Sequence, residues 1–272
     1  MLIAYATSVT VLPALLTLWI RWQIREPEQW SAGRKETARP STAGQLAALF
    51  EPGIASRTLL GFALAVIGLS TYWGVHIHGK ELTFRRAKQE IARRDALAAD
   101  ASPGEQAAFW KERDKELKHQ EMLGMLLAAT GGGLGLFAFG PICERLGRRR
   151  AFMLFHVGGF VMALLMFQTY LLWSPILLWL LLTAFGFWTL GMHAGYAIYF
   201  PELFPTRMRS LGAGFCFNSG RIAAAIVLVL NALVRQFNVP LETVGTLLSF
   251  LFLVGLVIAW FGPETKGTTL AA

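Results

Sequence analysis

Residues 244–261 read VGTLLSFLFLVGLVIAWF, a run of 18 residues without a charged side chain. A helix rises about 1.5 Å per residue, so a run of this length covers the roughly 30 Å hydrocarbon core of a bilayer. Six further runs share this apolar character. Together the seven runs occupy residues 2–20, 58–77, 122–141, 151–173, 176–200, 211–234 and 244–261. The sequence therefore predicts an all-α membrane protein with seven transmembrane helices.

The composition agrees with a membrane protein. Hydrophobic residues make up 54% of the chain and charged residues 15%, whereas a soluble domain carries about 25% charged residues. The net charge is +8, and its basic residues are distributed according to the loops between the apolar runs. This distribution favours a lipid bilayer as the partner and argues against nucleic acid. The two cysteines, Cys143 and Cys216, show no metal-ligand spacing. We therefore expect neither a metal site nor a cofactor.

Basic residues follow every second apolar run. Lys and Arg number six in residues 21–57, four in residues 144–150, two in residues 202–209 and one in the tail. The short loops between these segments carry none or one. This alternation is the positive-inside pattern of membrane proteins. It predicts a multi-pass protein of the cell membrane, with the C-terminus in the cytoplasm and the N-terminus outside.

One long charged segment separates the second and third runs. Residues 79–121 hold ten basic and nine acidic residues, and their pattern predicts helices over residues 80–99 and 105–120. Ser102 and Glu105, with Pro103 at the first helical position, form a capping-box sequence. The segment is interpreted as a solvated helical hairpin, or alternatively as a lid or partner-docking element. The predicted organisation is a single transmembrane helix (1–23), a cytoplasmic basic loop (24–56), a transmembrane helix (57–78), an extracytoplasmic charged helical insertion (79–120), a five-helix remainder (121–263) and a cytoplasmic tail (264–272).

Three motifs combine acids and bases at the predicted cytoplasmic ends of the spans. Residues 140–150 read GPICERLGRRR, residues 201–212 read PELFPTRMRSLG, and residues 263–267 read PETKG. In the first motif we expect Gly140 to end the helix and Gly147 to make the turn. Opposite charges at a membrane–water boundary can pair across helices, and their attraction strengthens where water is scarce.

In this order and spacing, the three motifs resemble the major facilitator superfamily, in its sugar or metabolite:proton symporter branch. Glu144 stands where the loop of that family usually has Asp. The superfamily has twelve spans in two six-span halves, and the motifs match this chain to the sixth span, the central loop and the C-terminal half. The resemblance implies a fragment, a split gene or a truncated gene. Its implied partners are a missing N-terminal half or a second copy of the chain.

The resemblance also implies a cytoplasmic gate, in which acids and bases pair when the inner side is closed. We expect Glu144 to pair with the bases of its own loop, and Glu202 to pair with Arg207 and Arg209. The predicted gate residues are Glu144, Arg145, Arg148, Arg149, Glu202, Arg207, Arg209 and Glu264.

A charged residue deep in a membrane span is costly and is therefore a functional candidate. Arg221 is the one clearly ionised residue inside a predicted span, and it follows Asn218 by three residues, on the same helix face. The stretch from Asn218 to Arg221 resembles the N-x-G-R stretch of metabolite symporters. The alternative is that Arg221 pairs with Glu202 or a carbonyl near the inner boundary.

Aromatic and imidazole side chains supply further candidates. His193 lies in the middle of the fifth span and is either functional or a hydrogen-bonded core residue. Tyr72 and His76 share one face of the second span, where they either line the cavity or mark the outer interface. The substrate-binding candidates are Tyr72, Trp73, His76, Trp188, His193, Asn218 and Arg221.

The predicted function is secondary transport of a small polar solute, such as a sugar or organic acid, by alternating access. Proton coupling is expected, although no Asp or Glu lies deep in a span. The titratable group is then His193 or belongs to the missing half, unless the protein is a uniporter. We expect no enzyme, because no nucleophile–base pattern or phosphate-binding loop is present. The alternative function is a non-transporting membrane sensor or scaffold with an extracytoplasmic helical hairpin.

Overall fold

The computed structural model describes residues 16–20, 22–23, 41–98, 100–172, 174–237 and 239–268. The chain divides into two units, Met1–Gln45 and Leu46–Ala272. In the first unit, residues 16–20 and 22–23 are helical and exposed. The rest of the predicted first span, and most of the predicted basic loop, lie outside the described residues.

All regular elements in the described ranges are helices. Six stretches are long and apolar enough to cross a membrane, which confirms the predicted all-α membrane fold. They contain five of the six predicted spans from residue 58 onward, and the sixth, predicted over residues 151–173, is helical only as far as Thr169. The helices are α1 (Thr42–Ala48), α2 (Ala55–Arg94), α3 (Pro103–Glu112), α4 (Asp114–Leu146), α5 (Arg148–Thr169), α6 (Pro175–Leu203), α7 (Arg209–Arg235) and α8 (Leu241–Phe261), with a 3-10 turn at Thr206–Met208 before α7.

Glycines bring the most closely packed helices together. α4 packs along α6, α5 packs on α8, and α2 lies against α7, α8 and α6. A Cβ at Gly131 or Gly135 of α4 would collide with the backbone of α6 at Thr183 or Phe187. Small residues four apart allow membrane helices this close approach, because association there depends on packing rather than on the hydrophobic effect.

The predicted loop over residues 140–150 is largely helical. α4 continues through Gly140 and Pro141 to Leu146, and α5 begins at Arg148. Gly147 alone separates the two helices, with φ +89° and ψ 163°, a conformation essentially restricted to glycine. The expectation that Gly140 ends the helix was therefore wrong, because a glycine inside a membrane helix is tolerated and the turn needs only one residue.

The charged insertion is built from extensions of two spans. α2 runs from its span to Arg94 without interruption, α4 begins at Asp114, and the short α3 connects them. The predicted capping box is confirmed: the Glu105 N–H donates to the Ser102 hydroxyl, while the Ser102 N–H donates to the Glu105 carboxylate. Ala87, Ile91 and Leu117 form a small separate core beneath the aromatic rings of α3.

Ion pairs hold this hairpin together. Arg94 donates to the Glu116 carboxylate at 2.7 and 3.0 Å, and Arg113 Nε donates to Asp95 Oδ2 at 2.5 Å. Hydrogen bonds from Arg94 and Arg113 hold the pKa of Asp95 well below its usual value. The hairpin is therefore an ordered element, held together by ion pairs, at the end of the bundle where α2 and α4 project.

Candidate functional site

Arg148 lies at the centre of a charge network at the opposite end of the bundle. It is the first residue of α5, and its side chain is 11% exposed. Its Nη2 donates to Glu202 Oε1 at 2.9 Å and its Nε donates to Glu202 Oε2 at 3.0 Å, the bidentate arrangement typical of strong arginine–carboxylate pairs. Its Nη1 lies 2.8 Å from Glu144 Oε1, as an ion pair without hydrogen-bond alignment. One guanidinium thus joins the ends of α4, α5 and α6.

Glu264 follows α8 and caps the start of α5. Its Oε1 accepts from the Arg148 N–H at 2.9 Å, and its Oε2 accepts from the Arg149 N–H at 3.3 Å. These amides belong to the first turn of α5, where backbone donors lack partners and the helix dipole favours negative charge. Burial raises the pKa of Glu264, but backbone donors including the Lys266 N–H outweigh it and hold the pKa below its usual value.

Two further contacts fix the segment after α8. The Thr265 hydroxyl donates to Glu202 Oε2 at 2.5 Å, and the Tyr199 hydroxyl donates to the Pro263 carbonyl at 2.7 Å. A Cβ at Gly147 would collide with the Glu264 carboxylate, so this position is glycine for a second reason besides its φ. We call Glu144, Arg148, Glu202, Glu264 and Thr265 the charge network.

Glu202 pairs with Arg148 rather than, as predicted, with Arg207 or Arg209. Arg209 Nε donates instead to the Pro201 carbonyl at 3.1 Å, and its Nη2 donates to the Thr206 hydroxyl at 3.1 Å. Arg207 is exposed and forms no ion pair with any described residue. The physical reason is that Glu202 lies on the last turn of α6, beside the start of α5, whereas Arg209 folds back onto the α6 carbonyls.

Arg145 and Arg149 likewise do not pair with Glu144 as predicted. The Arg149 guanidinium lies 4.7 Å from the centroid of the Trp260 ring, a cation–π contact. Arg145 is exposed, and its backbone carbonyl accepts a hydrogen bond from Lys266 Nζ at 3.1 Å. The predicted gate charges therefore gather at one end of the bundle, but Arg148 alone supplies the guanidinium that bridges its acids.

Four substrate-binding candidates meet at the seam between α2 and α6. The Tyr72 ring centroid lies 5.2 Å from that of Trp73, 5.5 Å from that of His76 and 5.2 Å from that of His193. The Nδ1 of His193 lies 3.1 Å from the Thr189 carbonyl oxygen. The sequence spacing of Tyr72 and His76 correctly placed them on one face, and the structure adds His193 from α6.

Trp188 does not join this cluster. Its ring packs against Phe155 and Phe187, with centroid distances of 5.2 and 5.1 Å, in the space left by the missing side chain of Gly158. The indole therefore fills the seam between α5 and α6. The sequence spacing of Trp188 and His193 could not predict that Trp188 packs against α5, because residues along one face of a helix can contact either of two neighbouring helices.

Arg221 and Asn218 lie on an exposed face of α7. Asn218 Nδ2 donates to the Gly214 carbonyl at 2.8 Å. The Arg221 guanidinium lies 5.5 Å from the Phe217 ring centroid and forms no ion pair with a described residue, so the alternative of pairing with Glu202 does not hold here. Arg221 borders a groove of about 170 Å³ between α2 and α7. The groove is lined by Leu69, Trp73, Arg221, Ala224, Ala225 and Leu228.

Three polar residues were missed. Arg57 Nη1 donates to the Leu203 carbonyl at 3.1 Å and caps α6; its place at a span boundary could have suggested this. His78 is 2% exposed and lies within hydrogen-bond distance of the Asn231 amide. His156 is fully buried in α5, with its Nδ1 2.7 Å from the Phe152 carbonyl oxygen, and nothing in its apolar run distinguished it from a core residue.

Comparison with known proteins adds an independent line of evidence. The family described as "Sugar (and other) transporter" matches residues 86–272. The inner membrane metabolite transport protein YhjE of Escherichia coli is 31% identical over 157 residues, which cover 57% of this chain and 36% of that protein. The synaptic vesicle 2-related protein of Rattus norvegicus is 26% identical over 245 residues, which cover 88% of this chain and 41% of that protein.

A third relative covers nearly all of the chain. The probable 4-methylmuconolactone transporter of Cupriavidus pinatubonensis is 25% identical over 269 residues, which are 96% of this chain and 53% of that protein. The chain thus spans between 36% and 53% of the length of these three relatives.

Proposed function

Because the chain belongs to the sugar (and other) transporter family of the major facilitator superfamily, we propose that it forms the C-terminal part of a secondary transporter. The intact transporter would move a small polar solute across the cell membrane by alternating access, with the C-terminus of this chain in the cytoplasm. Its partner would be an N-terminal six-helix half or, failing that, a second copy of this chain. The membrane-spanning character and the transporter class follow from the family and the apolar helices.

The charge network carries the proposal. It joins the ends of α4, α5 and α6 and the segment after α8 through a single guanidinium and a helix-capping carboxylate. Such contacts are discrete: they are either made or broken when packed helices separate. A solute path opening at this end would have to break them, so the network serves as the gate on the predicted inner side.

The groove beside Arg221 favours an organic acid over a neutral sugar. A charged side chain at mid-span costs about 2.5–3.5 kcal/mol on insertion scales, and in this groove Arg221 has an aromatic neighbour but no acid among the described residues. A carboxylate would neutralise it, while Leu69 and Trp73 would contact an apolar body. The groove of about 170 Å³ is smaller than the roughly 300–1,000 Å³ of a complete ligand pocket, as expected for one wall of a shared site.

Proton coupling would involve the aromatic seam. Among the described spans, the imidazoles of His76 and His193 flank the Tyr72 ring. The Nδ1 of His193 is occupied by the Thr189 carbonyl, so its other nitrogen would exchange the proton. Histidine suits this role because its ordinary pKa lies near neutrality.

Uptake into vesicles tests the proposal. The chain, reconstituted with an N-terminal half supplied in trans, should exchange labelled organic acids. Arg221→Gln should reduce that exchange at least tenfold, because the carboxylate loses its ion pair, whereas the matched variant Arg207→Gln should not. Exchange of sugars but not of acids would disprove the substrate class alone. No exchange of any solute by a correctly inserted protein would favour the sensor or scaffold alternative.

A further inference from the structure

Three acids at the Arg148 end of the bundle are occupied within the protein. Glu144 and Glu202 both pair with Arg148, and Glu264 accepts from backbone amides. The neighbouring bases therefore keep their charge unneutralised. Arg145, Arg149 and Arg150 form no ion pair with a described acid, and Arg145 and Arg150 are exposed. The excess positive charge is thus a property of the folded end and not only of the sequence.

Aromatic side chains lie beside this charge. Trp260 and Phe261, the last two residues of α8, are 56% and 79% exposed. Arg149 lies over the Trp260 ring. Tryptophan at the end of a membrane helix sits at the depth of the lipid headgroups, so the stacked guanidinium is held at that same depth.

We propose that the seam between the start of α5 and the end of α8 binds the headgroup of an anionic phospholipid. Arg149 and Arg150 would contact the phosphate, since the planar guanidinium matches phosphate oxygens with paired donors. Trp260 and Phe261 would contact the glycerol and the upper acyl chains. The two exposed apolar rings favour a lipid over a free phosphate ion, which has no apolar part to cover them.

The seam is coupled to the charge network through one residue. The side chain of Arg149 faces Trp260, while its backbone N–H donates to Glu264 Oε2. A lipid that immobilises Arg149 therefore also steadies the carboxylate that caps α5. Anionic lipid would in this way stabilise the paired state of the network, independently of which solute is transported.

Quenching of Trp260 fluorescence by brominated lipids tests the proposal. The chain is placed in nanodiscs of phosphatidylcholine that contain either brominated phosphatidylglycerol or brominated phosphatidylcholine at equal mole fraction. Subtracting the signal of Trp260→Phe isolates this one of the nine tryptophans. Each arginine that attracts the headgroup should enrich phosphatidylglycerol beside Trp260 about fivefold.

The variants separate a site from general attraction. Arg149→Gln should lower the enrichment about fivefold, and Arg149→Lys should lower it less. Arg207→Gln also removes one positive charge, from an exposed arginine of the segment between α6 and α7, and should change little because it is Arg149 that lies over the Trp260 ring. Thermal melting verifies that each variant is folded. Equal quenching by the two lipids in the wild type, an unchanged ratio in Arg149→Gln, or displacement by millimolar inorganic phosphate would overturn the proposal.

Discussion

Replacing Glu202 by Gln removes one charge from the network while keeping the shape of the side chain. Arg148 donates to both carboxylate oxygens, at 2.9 and 3.0 Å, whereas glutamine has only one amide oxygen; one of the two bonds is therefore lost and the other joins a cation to a neutral oxygen. A hydrogen bond to a charged group contributes about 1.5–3 kcal/mol, and one such bond is lost in Glu202→Gln. The paired state therefore loses about 2 kcal/mol, which corresponds to an approximately 30-fold increase in the open population.

Cys143 reports this opening. It is completely buried on the last turns of α4, and its carbonyl accepts a hydrogen bond from the Gly147 N–H at 3.0 Å. In a Cys216→Ser background it is the sole thiol of the chain. When opening and closing are fast, its alkylation rate by a maleimide follows the open population, and we expect up to a 30-fold increase in Glu202→Gln.

The matched control is Glu112→Gln, which removes an acid from the hairpin end, where the side chain is 79% exposed. Its alkylation rate should equal that of the parent. If Glu202→Gln stays folded by thermal melting and alkylates at the parent rate, the network does not hold this end closed, and the gate argument fails.

Three further predictions concern other parts of the chain. Gly147→Ala should destabilise the protein by about 1–3 kcal/mol in a thermal melt, because of the backbone conformation of Gly147 alone. The control Gly140→Ala should be neutral or stabilising by up to about 1 kcal/mol, because Gly140 lies within α4 and has open space where the Cβ would be. Reporter fusions at Ala272 and Ala101 should read on opposite faces of the membrane; the same face for both would contradict the seven-span topology. The pKa of Asp95 is depressed in the folded hairpin, so this carboxylate stabilises the hairpin fully above its ordinary pKa of 3.8 and loses that effect as the pH falls through the folded pKa. Hydrogen exchange in the hairpin should therefore rise at acid pH, and Asp95→Asn should abolish this rise.

The spans and the hairpin cap could be predicted because their causes are local. Apolar runs of bilayer length determine where helices cross, and the capping box at Ser102 needs only four consecutive residues. The same reasoning correctly placed Tyr72 and His76 on one face. Each of these features depends on periodicity within one helix, which the sequence records directly.

The partners of the charges could not be predicted, because they depend on how helices turn toward one another. Glu202 has two bases within eight residues along the chain, yet it pairs with Arg148, 54 residues away. Arg209 uses its guanidinium to cap α6 instead. Sequence proximity thus gave the pair of Glu144 with Arg148 but not the partner of Glu202, which was set by the close packing of α5 on α6.

Gly147 also determines how movement at one end of the bundle reaches the other. Because a single residue separates α4 from α5, the two helices cannot reorient at this end without disturbing Glu264, which lies against that residue. α2 spans 40 residues without an internal proline and is therefore about 60 Å long; it continues into the hairpin. Near the hairpin, Arg85 Nη1 of α2 lies 3.6 Å from Glu242 Oε1 at the start of α8. The opposite end of α8 is followed by Glu264. A separation of α8 from α5 at the charge network would therefore either pivot about this outer pair or break it.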